Sequence, residues 1–294
     1  MSYVIQTRDL VKKYGPKTAV NSVSINIERG EIYGLIGKNG AGKTTLMKLL
    51  LGLATPRSGE VRLFGGEDLG KARARIGSLI EAPGLFLKES AYGNLKKYAL
   101  ITGTSDSEIE YILSEVGLAD AGRKPAGSFS LGMKQRLGIA IALLGAPEIL
   151  VLDEPVNGLD PEGIKDVRDI LLRLSERGVT ILISSHLIDE LGKIATKFGI
   201  MKAGRLDLEI TRKEIEESCG ATYEIVVDRP EEAAKHIKSA LSIDMVAAKD
   251  GKVFVSDSEH TAAELNTALA GAGFAVSELK REEIRLEDFF IKRM

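Results

Sequence analysis

The chain has 294 residues, of which 44% are hydrophobic and 28% are charged, and its formal net charge is −2. This length and hydrophobic content can fill the cores of one large and one small domain, which excludes an intrinsically disordered chain. A net charge close to zero provides no global basic field, so the composition argues against a protein held on nucleic acid by charge alone.

The cysteine content and the apolar runs favour a reducing compartment and no membrane span. Cys219 is the single cysteine and has no partner for an intrachain disulfide, and the three histidines lack the spacing of metal ligands. Residues 1–9 lack the apolar segment of a signal peptide. The apolar run over 139–144 is far shorter than the roughly 18 residues that cross a bilayer. We therefore expect a cytoplasmic protein.

The first half of the chain begins with strands and continues into helices. Alternating apolar residues between 20 and 27 predict one half-buried strand, and the apolar run over 31–36 predicts a strand that ends at a glycine-rich turn. Residues 44–51 are apolar on one helical face. The sequence Ser-Asp-Ser-Glu over 105–108 is a capping box, which predicts a helix over 109–116.

The glycine-rich turn matches a phosphate-binding loop, G-x-x-x-x-G-K-[ST], between a strand and a helix. The matching residues are Gly37, Lys38, Asn39, Gly40, Ala41, Gly42, Lys43 and Thr44. Such a loop turns successive backbone N–H groups toward one anion, and the following helix adds its positive N-terminal charge. We expect Lys43 to reach the β- and γ-phosphates of ATP and Thr44 to bind Mg²⁺, with Thr45 beside it. The alternative is a turn that only connects strand and helix.

Two acids follow the buried strand predicted over 149–152. Asp153 and Glu154 stand at the carboxyl end of this strand, where open α/β sheets bind ligands. Asp153 can hold Mg²⁺ through its water shell, and Glu154 can orient and deprotonate the water that attacks the γ-phosphate. The alternative is an exposed acidic turn, but the phosphate loop upstream requires a partner for Mg²⁺.

The second half of the chain divides into two patterns. Strands over 149–152 and 179–183 alternate with helices, which predicts a parallel sheet. After Gly220 a βαββαβ order follows, typical of a ferredoxin-like fold. Its strands are predicted over 223–227, 243–247, 253–255 and 274–278, and its helices over 231–241 and 261–269. We predict two domains, 1–218 and 219–294.

Further segments, in the expected order over roughly residues 1–210, resemble the ATP-binding subunits of ABC transporters. Tyr14 in Lys-Tyr-Gly resembles the aromatic residue that stacks on adenine, and Phe-Ser-Leu-Gly-Met-Lys-Gln over 129–135 resembles the ABC signature at a helix start. Asn-Gly-Leu-Asp over 157–160 resembles the loop that couples the two sites, and His186 resembles the switch histidine that contacts the γ-phosphate.

The resemblance implies a fold and a dimer. The fold is an α/β P-loop ABC ATPase domain with a mostly parallel sheet, an antiparallel subdomain and a helical subdomain, followed here by the small α+β domain. Two copies, or this chain and a paired ATPase subunit, sandwich two ATP molecules, and Ser130 and Gly132 of one subunit close over the γ-phosphate held by the other. The alternatives are a buried tyrosine at the end of a strand for Tyr14, an ordinary N-cap for Ser130, and a structural histidine for His186.

Two departures from the usual family pattern point to a subfamily. Glu81, within 76–83, replaces the usual glutamine, and Leu131 and Met133 replace glycine and glutamine in the signature. A carboxylate at position 81 could bind Mg²⁺ more strongly than an amide. These variants resemble the bacitracin and lantibiotic self-protection exporters.

The resemblance implies a Mg²⁺-dependent ATPase on the inner face of the cell membrane, which drives a separate permease that exports an antimicrobial peptide or a drug. Residues 81–94, with Phe86 and Leu87, would face the permease, or alternatively pack on the domain's own core. A soluble ABC ATPase that acts on ribosomes or DNA is the second hypothesis, although the single cassette has no heptad run and no basic cluster, and we expect no nucleic-acid partner. A third hypothesis gives the C-terminal domain a small regulatory ligand.

Overall fold

A computed structural model describes residues 3–219, 221–257, 260–282, 289 and 290. The chain forms two compact units. The larger unit consists of Met1–Ile210 together with the chain from Phe290 onward. The smaller unit is the intervening segment Thr211–Phe289. The domains predicted at 1–218 and 219–294 stay a prediction, because compactness alone does not establish independent folding.

The larger unit is built from strands and helices that alternate after an antiparallel start. In chain order it contains β1 (Tyr3–Tyr14), β2 (Lys17–Val23), β3 (Asn26–Glu28), β4 (Ile32–Ile36), α1 (Lys43–Leu50), β5 (Ser58–Leu63), α2 (Leu69–Arg73), β6 (Ile76–Leu79), α3 (Ala91–Thr102), α4 (Asp106–Glu115), α5 (Leu131–Ala142), β7 (Ile149–Asp153), α6 (Pro161–Glu176), β8 (Thr180–Ser185), α7 (Ile188–Ile194), β9 (Lys197–Lys202) and β10 (Arg205–Thr211). Short 3-10 turns lie at Ala119–Ala121 and Ala126–Ser128.

A six-stranded sheet in the order β10-β9-β4-β8-β7-β6 organises the larger unit. Strands β4, β7 and β8 are buried along their whole length, which fits their largely apolar sequences. The pairs β6/β7, β7/β8, β8/β4 and β4/β9 are parallel, which confirms the predicted parallel sheet. Their carboxyl ends therefore meet at one edge of the sheet.

A second sheet is antiparallel, with β2, β3 and β5 all paired with β1. The prediction of one strand between 20 and 27 is wrong, because the chain forms β2 and β3 there. The side chain of Thr7 interrupts the ladder, since its hydroxyl donates to the carbonyl of Val23 at 2.9 Å and accepts from the N–H of Ile25 at 3.0 Å. Ser22 also has a positive φ of 51°. The alternating apolar residues themselves are fully buried, as predicted.

The helical region lies between β6 and β7 and contains α3, α4 and α5. The predicted capping box is confirmed, since the Ser105 side chain accepts from the N–H of Glu108 and the Glu108 carboxylate accepts from the N–H of Ser105. Across the described ranges, none of the helices combines the length and the apolar character that a membrane crossing requires.

The smaller unit contains α8 (Arg212–Cys219), β11 (Ala221–Val227), α9 (Pro230–Leu241), β12 (Val246–Lys249), β13 (Lys252–Asp257), α10 (Ala262–Gly271) and β14 (Val276–Glu282). Its sheet has the order β12-β13-β11-β14, and every pairing is antiparallel. This order confirms the predicted βαββαβ, ferredoxin-like arrangement. Two strands start later than predicted, because Ser242, with a φ of 56°, and Gly273, with a φ of 80°, turn the chain before it becomes extended.

Candidate functional site

The phosphate-type loop joins β4 to α1 and is shaped by two glycines that other residues could not replace. A Cβ on Gly37 would lie 2.5 Å from the carbonyl oxygen of Met201, and a Cβ on Gly42 would collide with the carbonyl oxygen of Ala19. Gly42 also has a φ of 110°, which L side chains rarely adopt. One side of the loop is therefore packed tightly against neighbouring backbone.

The other side of the loop is open. Lys38, Asn39 and Gly40 are exposed, and a Cβ on Gly40 would meet open space. Lys38–Ala41 and Met201–Ala203 line an open pocket of about 300 Å³. The ammonium of Lys43 lies beneath the loop, where it donates to the carbonyl of Gly37 at 2.6 Å, and the residue is only 5% exposed.

The first acid of the pair is joined to the helix after this loop. The Thr44 hydroxyl donates to Oδ2 of Asp153 at 2.7 Å, and the Ser184 hydroxyl donates to Oδ1 of the same carboxylate at 2.6 Å. Asp153 is 3% exposed. A hydroxyl and a carboxylate held together are the oxygen donors that Mg²⁺ prefers, so these residues fit the ion. Thr45 follows on the same helix and is half-buried.

The second acid has a strained backbone that Ser184 holds in place. Glu154 has a φ of 50°, in the left-handed region, and its N–H donates to both the hydroxyl of Ser184 at 2.9 Å and the carbonyl of Ser184 at 3.2 Å. Because Asp153 and Ser184 are partners in the parallel register of β7 and β8, one serine positions both acids. Sequence reasoning missed this role, although a hydroxyl at the end of the neighbouring buried strand was the available signal.

The carboxylate of Glu154 lies between a cation and an imidazole. Its Oε2 is 2.8 Å from Nδ1 of His186, and its Oε1 is 3.1 Å from Nζ of Lys43, close enough for an ion pair but outside hydrogen-bond geometry. The His186 side chain is 40% exposed, so one part of the ring faces solvent. The structure thus brings together five of the predicted residues: Lys43, Thr44, Asp153, Glu154 and His186.

Glu81 follows β6 at the same edge of the sheet and is paired with a lysine that sequence reasoning missed. The ammonium of Lys48 donates to Oε1 of Glu81 at 2.6 Å. This hydrogen bond is the main cause that raises the pKa of Lys48, and burial opposes it; the charge of Glu81 and then the nearby Tyr14 and Asp153 add to the rise. The signal in the sequence was the spacing, since Lys48 stands four residues after Thr44 on α1.

Tyr14 and the predicted second anion site lie on other elements. Tyr14, at the end of β1, is 50% exposed, with Nζ of Lys12 at 4.9 Å from its ring centroid, so the alternative of a buried tyrosine is wrong. Ser130 is the N-cap of α5, and its hydroxyl accepts from the N–H of Met133 at 3.2 Å. Among the described residues, no hydrogen bond links Ser130 or Gly132 to the loop at residues 37–44.

Comparison with known sequences identifies one family. Residues 20–157 match the ABC transporter family. The chain is 42% identical to the bacitracin transport ATP-binding protein BcrA of Enterococcus faecalis, over 99% of this chain and 96% of the relative. It is 45% identical over 206 residues to the lantibiotic transport ATP-binding protein SrtF of Streptococcus pyogenes, which covers 70% of this chain and 90% of the relative.

Comparison with solved structures identifies the same fold. The structure of cbiO1 from Clostridium perfringens, part of the ABC transporter complex cbiONQ, matches with a TM-score of 0.67 and 27% identity, over 82% of this chain and 97% of that one. A second structure, of an ATP binding subunit of an ABC transporter, matches with a TM-score of 0.65 and 30% identity, over 73% and 92% of the two chains.

Proposed function

The chain belongs to the ABC transporter family and is an ATP-hydrolysing subunit, and from this premise we propose that it drives export of a bacitracin-type or lantibiotic-type antimicrobial peptide through a separate permease. The observation that carries this proposal is the similarity to a bacitracin transport ATP-binding protein over 99% of the chain. Because the relatives are named as transport proteins, the alternative of a ribosome- or DNA-acting ATPase is not supported.

In the proposed reaction, the residues around the phosphate loop divide the work. Backbone N–H groups over 37–44 and the ammonium of Lys43 hold the β- and γ-phosphates, and Tyr14 offers an exposed ring for adenine. Glu154 orients the attacking water and takes its proton. His186, bonded to Glu154 through Nδ1, holds that carboxylate and presents its other ring edge to the γ-phosphate.

Mg²⁺ fits the hydroxyl of Thr44 and the carboxylate of Asp153, with Glu81 as a third candidate ligand. When bound, the ion neutralises charge on the β- and γ-phosphate oxygens. Ser184 keeps Asp153 and Glu154 in separate roles, because it donates to the first and accepts from the backbone of the second.

We further propose that two copies close over two ATP molecules, with Ser130 and Gly132 of each copy against the γ-phosphate held by the other. Support comes from the exposure of Ser130 at the start of the 12-residue helix α5, whose N-terminal N–H groups can meet an anion. A separate ATPase subunit could take the place of the second copy.

The proposed permease contact is the loop between β6 and α3, which would place the protein on the inner face of the cell membrane. Phe86 and Leu87 are 46% and 56% exposed. The buried Asn94 side chain accepts from the N–H of Phe86 at 2.8 Å and donates to its carbonyl at 3.1 Å, so the loop is fixed to α3 while these two side chains reach solvent. The Phe86 ring also rests against Tyr98, at 5.7 Å between centroids.

A sensitivity assay in cells tests the transport proposal. The chain is expressed with its candidate permease in a bacitracin-sensitive host, and the minimal inhibitory concentrations of bacitracin and of a lantibiotic are compared with those of the Glu154→Gln variant. We expect protection that depends on Glu154 and on the permease. If the purified chain hydrolyses ATP but neither peptide is tolerated better, the substrate class is wrong while the ATPase activity stands.

A further inference from the structure

We propose that Lys48 competes with the metal ion for the Glu81 carboxylate: it holds this carboxylate at the sheet edge that also carries Asp153, and releases it when Mg²⁺ and ATP bind. In this arrangement the Lys48 ammonium and a divalent cation bind the same Glu81 carboxylate in turn. This proposal rests on the proposed role of Thr44 and Asp153 as magnesium ligands.

The first support is the way two residues of α1 contact two neighbouring strand ends. Thr44 and Lys48 are four residues apart, so their side chains lie on the same face of the helix, one turn apart. Thr44 bonds to Asp153 at the end of β7, and Lys48 bonds to Glu81, which follows β6. Since β6 and β7 are adjacent parallel strands, the two acids belong to one edge of the sheet.

The second support is the charge balance at this edge. A glutamine at position 81 would be neutral, whereas Glu81 brings a second carboxylate into the neighbourhood of Asp153. The Lys48 ammonium, 2.6 Å from Oε1 of Glu81, restores neutrality to the pair. The charge on Lys48 also interacts with Asp153, so the lysine lies within electrostatic range of both acids. An acid at this position is therefore matched by a local cation.

The third support is that the pair is well placed to open. The side chains of Lys48 and Glu81 are 32% and 66% exposed, and an ion pair with this exposure contributes little to folding stability. Glu81 also has a φ of 65°, a backbone conformation that non-glycine residues seldom adopt and that is common at binding sites. Water can take the place of Lys48 or of Glu81 in this ion pair when the other residue binds a stronger ligand.

The experiment measures metal binding without turnover. In the full-length chain carrying Glu154→Gln, the affinity for Mn²⁺ in the presence of ATP is measured by electron paramagnetic resonance, and the Mg²⁺ dependence of ATP binding is measured by calorimetry. Four variants are compared in this background: Lys48→Met, Glu81→Gln, the two combined, and Lys165→Met as a control at an exposed lysine on α6. Thermal unfolding verifies that each variant is folded.

We expect Lys48→Met to tighten Mn²⁺ binding about twofold to fivefold, the size expected when the metal ion no longer has to displace Lys48 from an exposed ion pair with Glu81. Glu81→Gln should weaken Mn²⁺ binding, and Lys48→Met should have little further effect once position 81 is glutamine. Equal effects of Lys48→Met with and without Glu81→Gln, or an effect no larger than that of Lys165→Met, would overturn the proposal. If the Glu154→Gln parent itself fails to bind ATP, the proposed function fails instead, so the two failures are distinguishable.

Discussion

The two helix starts assigned to phosphate binding differ in how much of each site a single chain supplies. Helix α1 begins after Gly42, which has no side chain to cap it, and Lys43, Thr44, Asp153 and Glu154 are already connected around it. Helix α5 begins at Ser130, whose hydroxyl caps its own helix and is exposed. The residues proposed for the first site are thus already connected within one chain, whereas the proposed second site would need an approaching partner to be completed.

The largest expected effect is on ATP hydrolysis. A variant that binds ATP without hydrolysing it tests the two helix starts separately, through ATP binding for α1 and through dimer formation for α5. Glu154→Gln should lower phosphate release by about 10²-fold to 10⁴-fold, the usual contribution of a general base. ATP binding should persist, because the loop and Lys43 are unchanged, and ATP should then favour a dimer by size-exclusion chromatography. Lys43→Ala is the matched contrast, since it should weaken ATP binding and with it the dimer. Normal turnover in Glu154→Gln would remove Glu154 from its assigned role.

Two glycine-to-alanine substitutions, one near each helix start, compare how strongly the backbone is constrained at the two positions. Gly42→Ala should destabilise the larger unit by about 1–3 kcal/mol, because the residue has a strained positive φ and its Cβ meets the Ala19 carbonyl. Gly132→Ala should leave the fold intact, since the nearest atom to its Cβ is 3.8 Å away and alanine favours a helix. Urea unfolding measures both effects.

The same pair separates ATP binding from dimer formation. We expect Gly42→Ala to impair ATP binding by the single chain, whereas Gly132→Ala should impair only the ATP-dependent dimer. If Gly132→Ala forms that dimer as readily as the parent, the start of α5 does not approach a nucleotide.

The smallest expected effect on stability comes from Ser130→Asn. This substitution distinguishes the role of Ser130 as a helix cap from its proposed role beside the nucleotide of the other copy. Asparagine caps helices about as well as serine, so unfolding free energy should change by only a few tenths of a kcal/mol. The larger side chain should nevertheless lower the fraction of ATP-dependent dimer in the Glu154→Gln background, measured by analytical ultracentrifugation. An unchanged dimer fraction would leave Ser130 as a helix cap alone.

The sequence predicted the parts of the site that depend on local patterns. The loop over 37–44 and the acids after β7 follow from residue types at fixed spacing, and the parallel sheet follows from the alternation of strands with helices. Ser184 and Lys48 escaped prediction because their roles depend on the register between β7 and β8 and on the contact of α1 with the end of β6. Neither relation is visible within a single segment.

Errors in the strand bounds have a similar origin. The apolar residues between 20 and 27 approximate a period of two, but the hydroxyl of Thr7, on a different strand, and the positive φ of Ser22 accompany the division into β2 and β3. A side chain that replaces ladder hydrogen bonds from 16 and 18 residues away cannot be read from the segment it interrupts. Predictions based on periodicity therefore capture burial better than they capture the ends of strands.

Phe290 belongs to the larger unit, although in the sequence it follows the smaller unit. Its ring is fully buried and lies 5.2 Å from the ring of Phe198 on β9, so it belongs to the unit that carries the phosphate loop. The ferredoxin-like unit is consequently a covalent insertion with a connection at each end. A fragment truncated after β10 would lack the buried ring of Phe290. We therefore expect its core, next to Phe198, to be incomplete.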